Sequence, residues 1–178
     1  TLTKGTQMTT VTPTANGGTI TGWSVSPSLP AGLSLDSSTG AISGTPSVVT
    51  TSATYTITAT NTGGSDNTTI TIVVNDIAPS IAYSPSTLTL TKGTAMTNAT
   101  VTSTGGTVAS YAVSPSLPAG LALDTSTGAI SGTPTAITSS ASYTITATNT
   151  GGTDTASVTI VVNDLAPSAV TYSPSSLT

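Results

Sequence analysis

Residues 29–46 read LPAGLSLDSSTGAISGTP, and residues 117–134 read LPAGLALDTSTGAISGTP. The phrase is nearly free of charge and holds no pair of side chains able to act as nucleophile and base, so it reads as a corner of a fold. Pro30 and Gly32 bend the chain, and Leu33 and Leu35 are expected to enter a core. Asp36 to Gly40 form a tight turn in which the Asp36 carboxylate accepts backbone N–H bonds and Gly40 takes a left-handed conformation costly for other residues. Ile42 then returns to the core, and Gly44, Thr45 and Pro46 end the strand.

The copying extends well beyond this phrase. Lys4 matches Lys92, Tyr55 matches Tyr143 and Asp76 matches Asp164, a constant offset of 88 with roughly two thirds of paired positions identical. A period this long makes each repeat a domain, unlike the ~20 to 50 residue units of solenoids. The expected organisation is a first repeat at 1–78 with a truncated first strand, a second at 79–166, and the start of a third at 167–178. Thr1, Thr89 and Thr178 stand at one phase of the repeat. The chain is therefore expected to be a segment of a longer array, in which the half strand begun at Tyr172 is finished by a following repeat.

Composition narrows the fold class. The 178 residues include two Lys, six Asp and no Glu, Arg, His, Cys or Phe. Ser and Thr together make up roughly 40% of the chain, whereas charged residues are 4% against about 25% in ordinary soluble domains. Disorder couples low hydrophobicity to high net charge, but here 35% of residues are hydrophobic and the mean hydropathy is +0.25. The chain is expected to fold, and Val, Ile and Thr favour strands. A net charge of −4 with no basic patch leaves nothing to drive nucleic-acid binding by counterion release. No apolar run approaches the ~18 to 20 residues that span a bilayer, and TLTKGTQMTT lacks the features of a signal peptide, so any export signal is expected outside this fragment.

The apolar residues recur with period two. In TYTITATN, residues 54–61, Tyr55, Ile57 and Ala59 point one way and the threonines the other. TITIVV, residues 69–74, alternates through Ile70, Ile72 and Val74, and the Gly and Asn between the two runs predict a hairpin. Trp23 and Val25, like Tyr111 and Val113, are expected on a central strand with one aromatic as core anchor, and Leu88 and Leu90 on the first strand. About seven short strands per repeat predict an all-β chain of two tandem immunoglobulin-like antiparallel β-sandwich domains. Barrels or jelly rolls usually need more strands per unit.

PSLPAGLSLDSSTGAISGTP, followed by YTITATNTGG and a final ITIVVND, resembles the bacterial putative Ig domain, the immunoglobulin-like and cadherin-like tandem repeat of surface proteins. The resemblance covers each repeat nearly end to end, and its LPAGLxLDxxTGxIxGTP phrase is specific. It implies β-sandwiches strung in tandem in large exported proteins, hence an extracellular or cell-surface location, with no uniform ligand.

Chemistry is scarce. Without His, Cys or Glu, the usual serine or cysteine triad cannot be assembled and a zinc site lacks its soft ligands. Each repeat has three Asp, each explicable as a turn or linker residue, so the chain is read as no enzyme. No catalytic, cofactor-binding or metal residue is assigned, and no cofactor. VVNDIAPS and VVNDLAPS resemble the calcium-binding linkers of cadherin-type modules, and Asp36 and Asp124 sit in turns. Ca²⁺ wants ~6 to 8 oxygens with several carboxylates, which favours Asp76 and Asp164 as solvated linker residues. Lys4 and Lys92 could form isopeptide crosslinks of the kind found in some surface Ig-like domains, but the neighbouring acid is missing and surface lysines are the favoured reading. Asn67 and Asn98 match the N-x-[ST] acceptor pattern. The short Thr rows, which resemble ice-binding surfaces, are the alternation any half-buried strand requires.

The expected function is therefore a structural repeat of a large extracellular surface protein forming a stalk or filament, with a short Pro-bearing linker around Pro79 acting as a stiff hinge. Its expected partners are neighbouring repeats or further copies head to tail, with lateral self-association, no nucleic acid and no membrane insertion. The alternative is an adhesin module binding carbohydrate or a partner protein through its loops, for which one Trp and five Tyr supply few stacking residues.

Overall fold

The computed structural model describes residues 1–171. All its regular elements are strands. Two compact units form. Thr1–Ala78 with Gly105–Thr107 and Asn149–Gly152 makes the first; Pro79–Thr104, Val108–Thr148 and the described residues from Thr153 onward make the second.

In the first unit the strands are β1 (Leu2–Thr3), β2 (Gly22–Ser26), β3 (Leu33–Leu35), β4 (Ile42–Gly44), β5 (Thr50–Asn61) and β6 (Gly64–Asn75). Rich in Thr, Ile and Val, β5 and β6 form a long hairpin, with Asn61 opposite Gly64 and Tyr55 opposite Ile70. The Asn61 side chain closes the turn by accepting the Gly63 N–H at 2.8 Å. The sheet order is β1-β6-β5-β2, and β3 and β4 form a separate two-stranded ladder. As the alternation predicts, Tyr55, Ile57 and Ala59 are buried.

The second unit carries β7 (Pro79–Tyr83), β8 (Thr87–Thr91), β9 (Val101–Gly105), β10 (Ser110–Ser114), β11 (Leu121–Leu123), β12 (Ile130–Gly132), β13 (Thr138–Asn149) and β14 (Gly152–Asn163). Its main sheet, β10-β13-β14-β8, repeats that of the first unit, β11 pairs β12, and an additional ladder joins β7 to β9. The expected seven strands are thus six in one unit and eight in the other. The difference is this additional ladder of two strands.

Two pairings among the described residues depart from the antiparallel rule. β8 runs parallel to β14, with Leu88 opposite Ile160 and Leu90 opposite Val162, and β1 runs parallel to β6 with Leu2 opposite Val74. Period-two alternation reports which face a strand buries and is silent on direction, so the sequence carries no trace of this.

The cores differ in completeness. In the second unit Ile130, Ile145, Ala147, Val158, Ile160 and Val162 are fully buried, joined by Tyr83, Leu88, Tyr111 and Tyr143. The core cluster of the first is smaller, formed by Tyr55, Ile72 and Val74 with half-buried neighbours such as Val25, Leu29 and Leu33. Trp23 does not become the anchor of a central strand. β2 lies at the edge of its sheet, opposite Ala59 of β5, and the indole is only half-buried.

The copied phrase is the β3-β4 corner, with Leu33 opposite Gly44 and Leu35 opposite Ile42. Both leucines are half-buried, and Ile42 is buried. The Thr45 N–H donates to the Gly32 carbonyl at 3.0 Å, and at φ +90° a Cβ on Gly32 would stand 2.0 Å from the Thr45 carbonyl oxygen. Gly120 meets Thr133 in the same way. No side chain fits there, so the phrase tolerates little change.

Two substitutions test this packing by denaturant unfolding. Ile160→Ala, at a site with no exposure, is expected to cost about 2–5 kcal/mol. Val48→Ala, 54% exposed, should change stability by less than about 0.5 kcal/mol. Equal effects would contradict the assigned core.

Candidate functional site

Among the described residues no three acidic, His or Cys side chains gather closely enough to hold a metal ion. The Asp residues are used locally. Asp36 Oδ1 accepts from the Ser38 N–H at 2.8 Å, the Ser38 hydroxyl at 2.6 Å and the Thr39 N–H at 3.0 Å. Asp124 repeats the set with Ser126 and Thr127. The Ser hydroxyl, and then the backbone amides, hold each carboxyl down at about 2. Gly40, at φ +74°, closes the turn by donating its N–H to the Asp36 carbonyl at 2.8 Å. The sequence reading of this turn matches the geometry.

The linker carboxylates behave similarly. Asp76 Oδ1 accepts the Ile77 N–H at 3.0 Å and lies 3.9 Å from the Lys4 ammonium, and Asp164 Oδ1 accepts the Leu165 N–H at 2.9 Å. Lys4 is therefore an ion-pair partner with an exposed side chain, of the kind worth about 0 to 1 kcal/mol. Asn67 and Asn98 are both exposed, as a glycosylation acceptor must be.

The feature the sequence reading missed is a cleft of about 600 Å³ in the first unit, open to solvent. Pro13, Ile20, Trp23, Ile57 and Ala59 give it an apolar lining, and Asn61 and Asp66 stand among its polar residues. Asp66 is the one titratable side chain lining it, and its Oδ1 accepts the Asn67 N–H at 2.9 Å. A lone acid without a base supports no acid–base chemistry.

The corresponding region of the second unit is occupied. β7 lies along β9, burying Ile81 and Tyr83, and the Tyr83 hydroxyl donates to the Gly128 carbonyl. Burial, and secondarily the neighbouring Tyr111, push the Tyr83 pKa to about 12, so this donor keeps its proton at neutral pH. Tyr111, the counterpart of Trp23, is buried.

Comparison with known proteins agrees with this architecture. The family described as Putative Ig domain (He_PIG) matches residues 1–75 and again 78–163. Among solved structures, the N-terminal four Ig domains of Dscam1 isoform 9.44 are similar at 15% identity and TM-score 0.54, over 91% of this chain and 42% of that one. Isoform 8.4 gives 16% identity and TM-score 0.51 over the same shares. The chain thus spans about two fifths of these structures, and at such identity the likeness concerns the fold. No curated protein matches the chain.

The Asp turns generate a pH prediction. Their carboxyls are depressed in the folded state, so the stability they add is present above the unfolded value near 3.8 and lost as pH falls through about 2. Asp124→Asn should lower the melting temperature at pH 7, and its deficit should shrink between about pH 4 and 2. A deficit independent of pH would contradict the assignment.

Proposed function

Given that the chain belongs to the Putative Ig domain family through both repeats, we propose that it is a structural segment of a large extracellular or cell-surface protein, a stalk or filament in which the module is repeated to gain length. The observation that carries this reading is the double occurrence of one sandwich. The same main sheet recurs in both units, and the Asp36 turn recurs atom for atom at Asp124. Where the copies agree most closely they agree on packing and turns, and selection for a reaction would instead keep an acid, a base or a ligand set.

The surface supports the same role. Threonines on the outer faces of β5, β6, β13 and β14 carry almost no charge, so attraction between such modules is little screened by salt. The partners proposed are neighbouring repeats and further copies of the chain, without catalytic function or cofactor.

Electron micrographs of the purified native assembly test the proposal. A thread with regularly spaced beads, one per repeat, is the expected result, and compact particles with no elongated form would overturn it.

A further inference from the structure

Asp76, Ile77 and Ala78 follow β6 without forming a strand, and Ile77 is 48% exposed. A short exposed connection of this kind is ordinarily mobile. This one is bonded through its backbone. The Asp76 N–H donates to the Thr150 hydroxyl at 2.9 Å, and the Asn149 side-chain amide donates to the Ile77 carbonyl at 2.8 Å. The residues on both sides of these bonds, Asn149–Gly152 included, belong to the first unit. Asn149 is itself fixed. Its Oδ1 accepts the Gly151 and Gly152 N–H groups at 2.8 and 3.1 Å, which leaves the amide nitrogen as the end that meets Ile77.

Two glycines complete the contact. A Cβ on Gly151 would stand 2.2 Å from the Asp76 carbonyl oxygen, and one on Gly106 would stand 2.2 Å from that of Ile77. Neither glycine has a positive φ, so conformational freedom does not explain them, and the close approach of another backbone does. One period earlier stand the same residues, Gly18, Asn61, Thr62 and Gly63, and Asn61 Oδ1 accepts the Gly63 N–H at the same 2.8 Å. There a Cβ on Gly63 would meet the Asn61 side chain at 3.2 Å and, among the described residues, no backbone. Forming the turn and holding a linker are thus separable properties of one motif.

We infer that the Asn149–Gly152 turn, with Gly106, is a clamp for the linker Asp76–Ala78, recognising it through its backbone. The stiffness expected of Pro79 resides in these contacts. Thr150 supplies an acceptor, Asn149 a donor, and the two glycines the room for the linker carbonyls. Asn149 and Thr150 are positioning residues. This deepens the reading of the chain as a structural module and rests on it for the clamp's use, since a held connection transmits a load that a free one relaxes.

Residue-resolved amide exchange by NMR on the full 178-residue chain tests the clamp. The counterpart linker, Asp164–Ala166, is exposed throughout and serves as the reference. Both aspartates follow an asparagine, Asn75 and Asn163, so their intrinsic exchange rates match. The Asp76 amide should exchange at least about tenfold more slowly than that of Asp164. Thr150→Val keeps the shape of the side chain and removes the acceptor, and Asn149→Asp keeps the turn and removes the donor to Ile77. Each should abolish most of the difference, whereas the matched changes Thr62→Val and Asn61→Asp should leave it intact. Equal rates at Asp76 and Asp164 in the unaltered chain would overturn the clamp, and this comparison needs no variant to fold. So would an Asp76 rate unmoved by Thr150→Val, or moved as far by Thr62→Val. A free linker would leave the structural reading, which micrographs test, standing and remove only the clamp.

Discussion

Tyr143, Ile145 and Ala147 on one strand and Val158, Ile160 and Val162 on the next form a single apolar face, and that face must be covered. A sheet with one hydrophobic face is stable only when a second layer removes it from water, at about 25 cal/mol per Å² of apolar surface buried. In the second unit, the β11-β12 corner and β7 with β9 supply the layer, and six core residues reach zero exposure. In the first unit the same sheet is covered by its β3-β4 corner, and Trp23, Val11 and Ile70 are partly exposed.

The same requirement explains where sequence is copied and where it drifts. The corner brings backbone to backbone at Gly32 and Gly44, and at Gly120 and Gly132, too close for any side chain. It therefore returns almost unchanged after 88 residues. Positions beside the corner differ between the copies, Pro13 standing where Val101 does and Trp23 where Tyr111 does, and each pair packs against the glycine of its own turn, Gly40 or Gly128. Hydroxyl-rich outer faces satisfy water without charge, so little besides packing is encoded.

Much of the fold was legible because its determinants are local. Alternation in TYTITATN fixes the buried face, Asn61 and the glycines fix the hairpin, and Asp36 followed by Ser38 and Thr39 fixes the turn. The parallel pairing of β8 with β14 was illegible, since alternation records faces and not direction. Trp23 was misplaced for a related reason. A large aromatic reads as a core anchor, and whether it is buried depends on a strand contributed from elsewhere in sequence. The cleft was illegible because its lining comes from segments far apart in sequence, Pro13, Trp23 and Ala59 among them. The half strand from Tyr172 to Thr178 lies outside the described residues.

Hydrogen exchange on the 178-residue chain tests the central claim, that the covered apolar face of β13 and β14 holds the second unit together, most directly. Amides in β13 and β14 should be strongly protected, and those at 14–17, outside any strand, should exchange at nearly the rate of unstructured peptide. Equal protection of both segments would contradict the account.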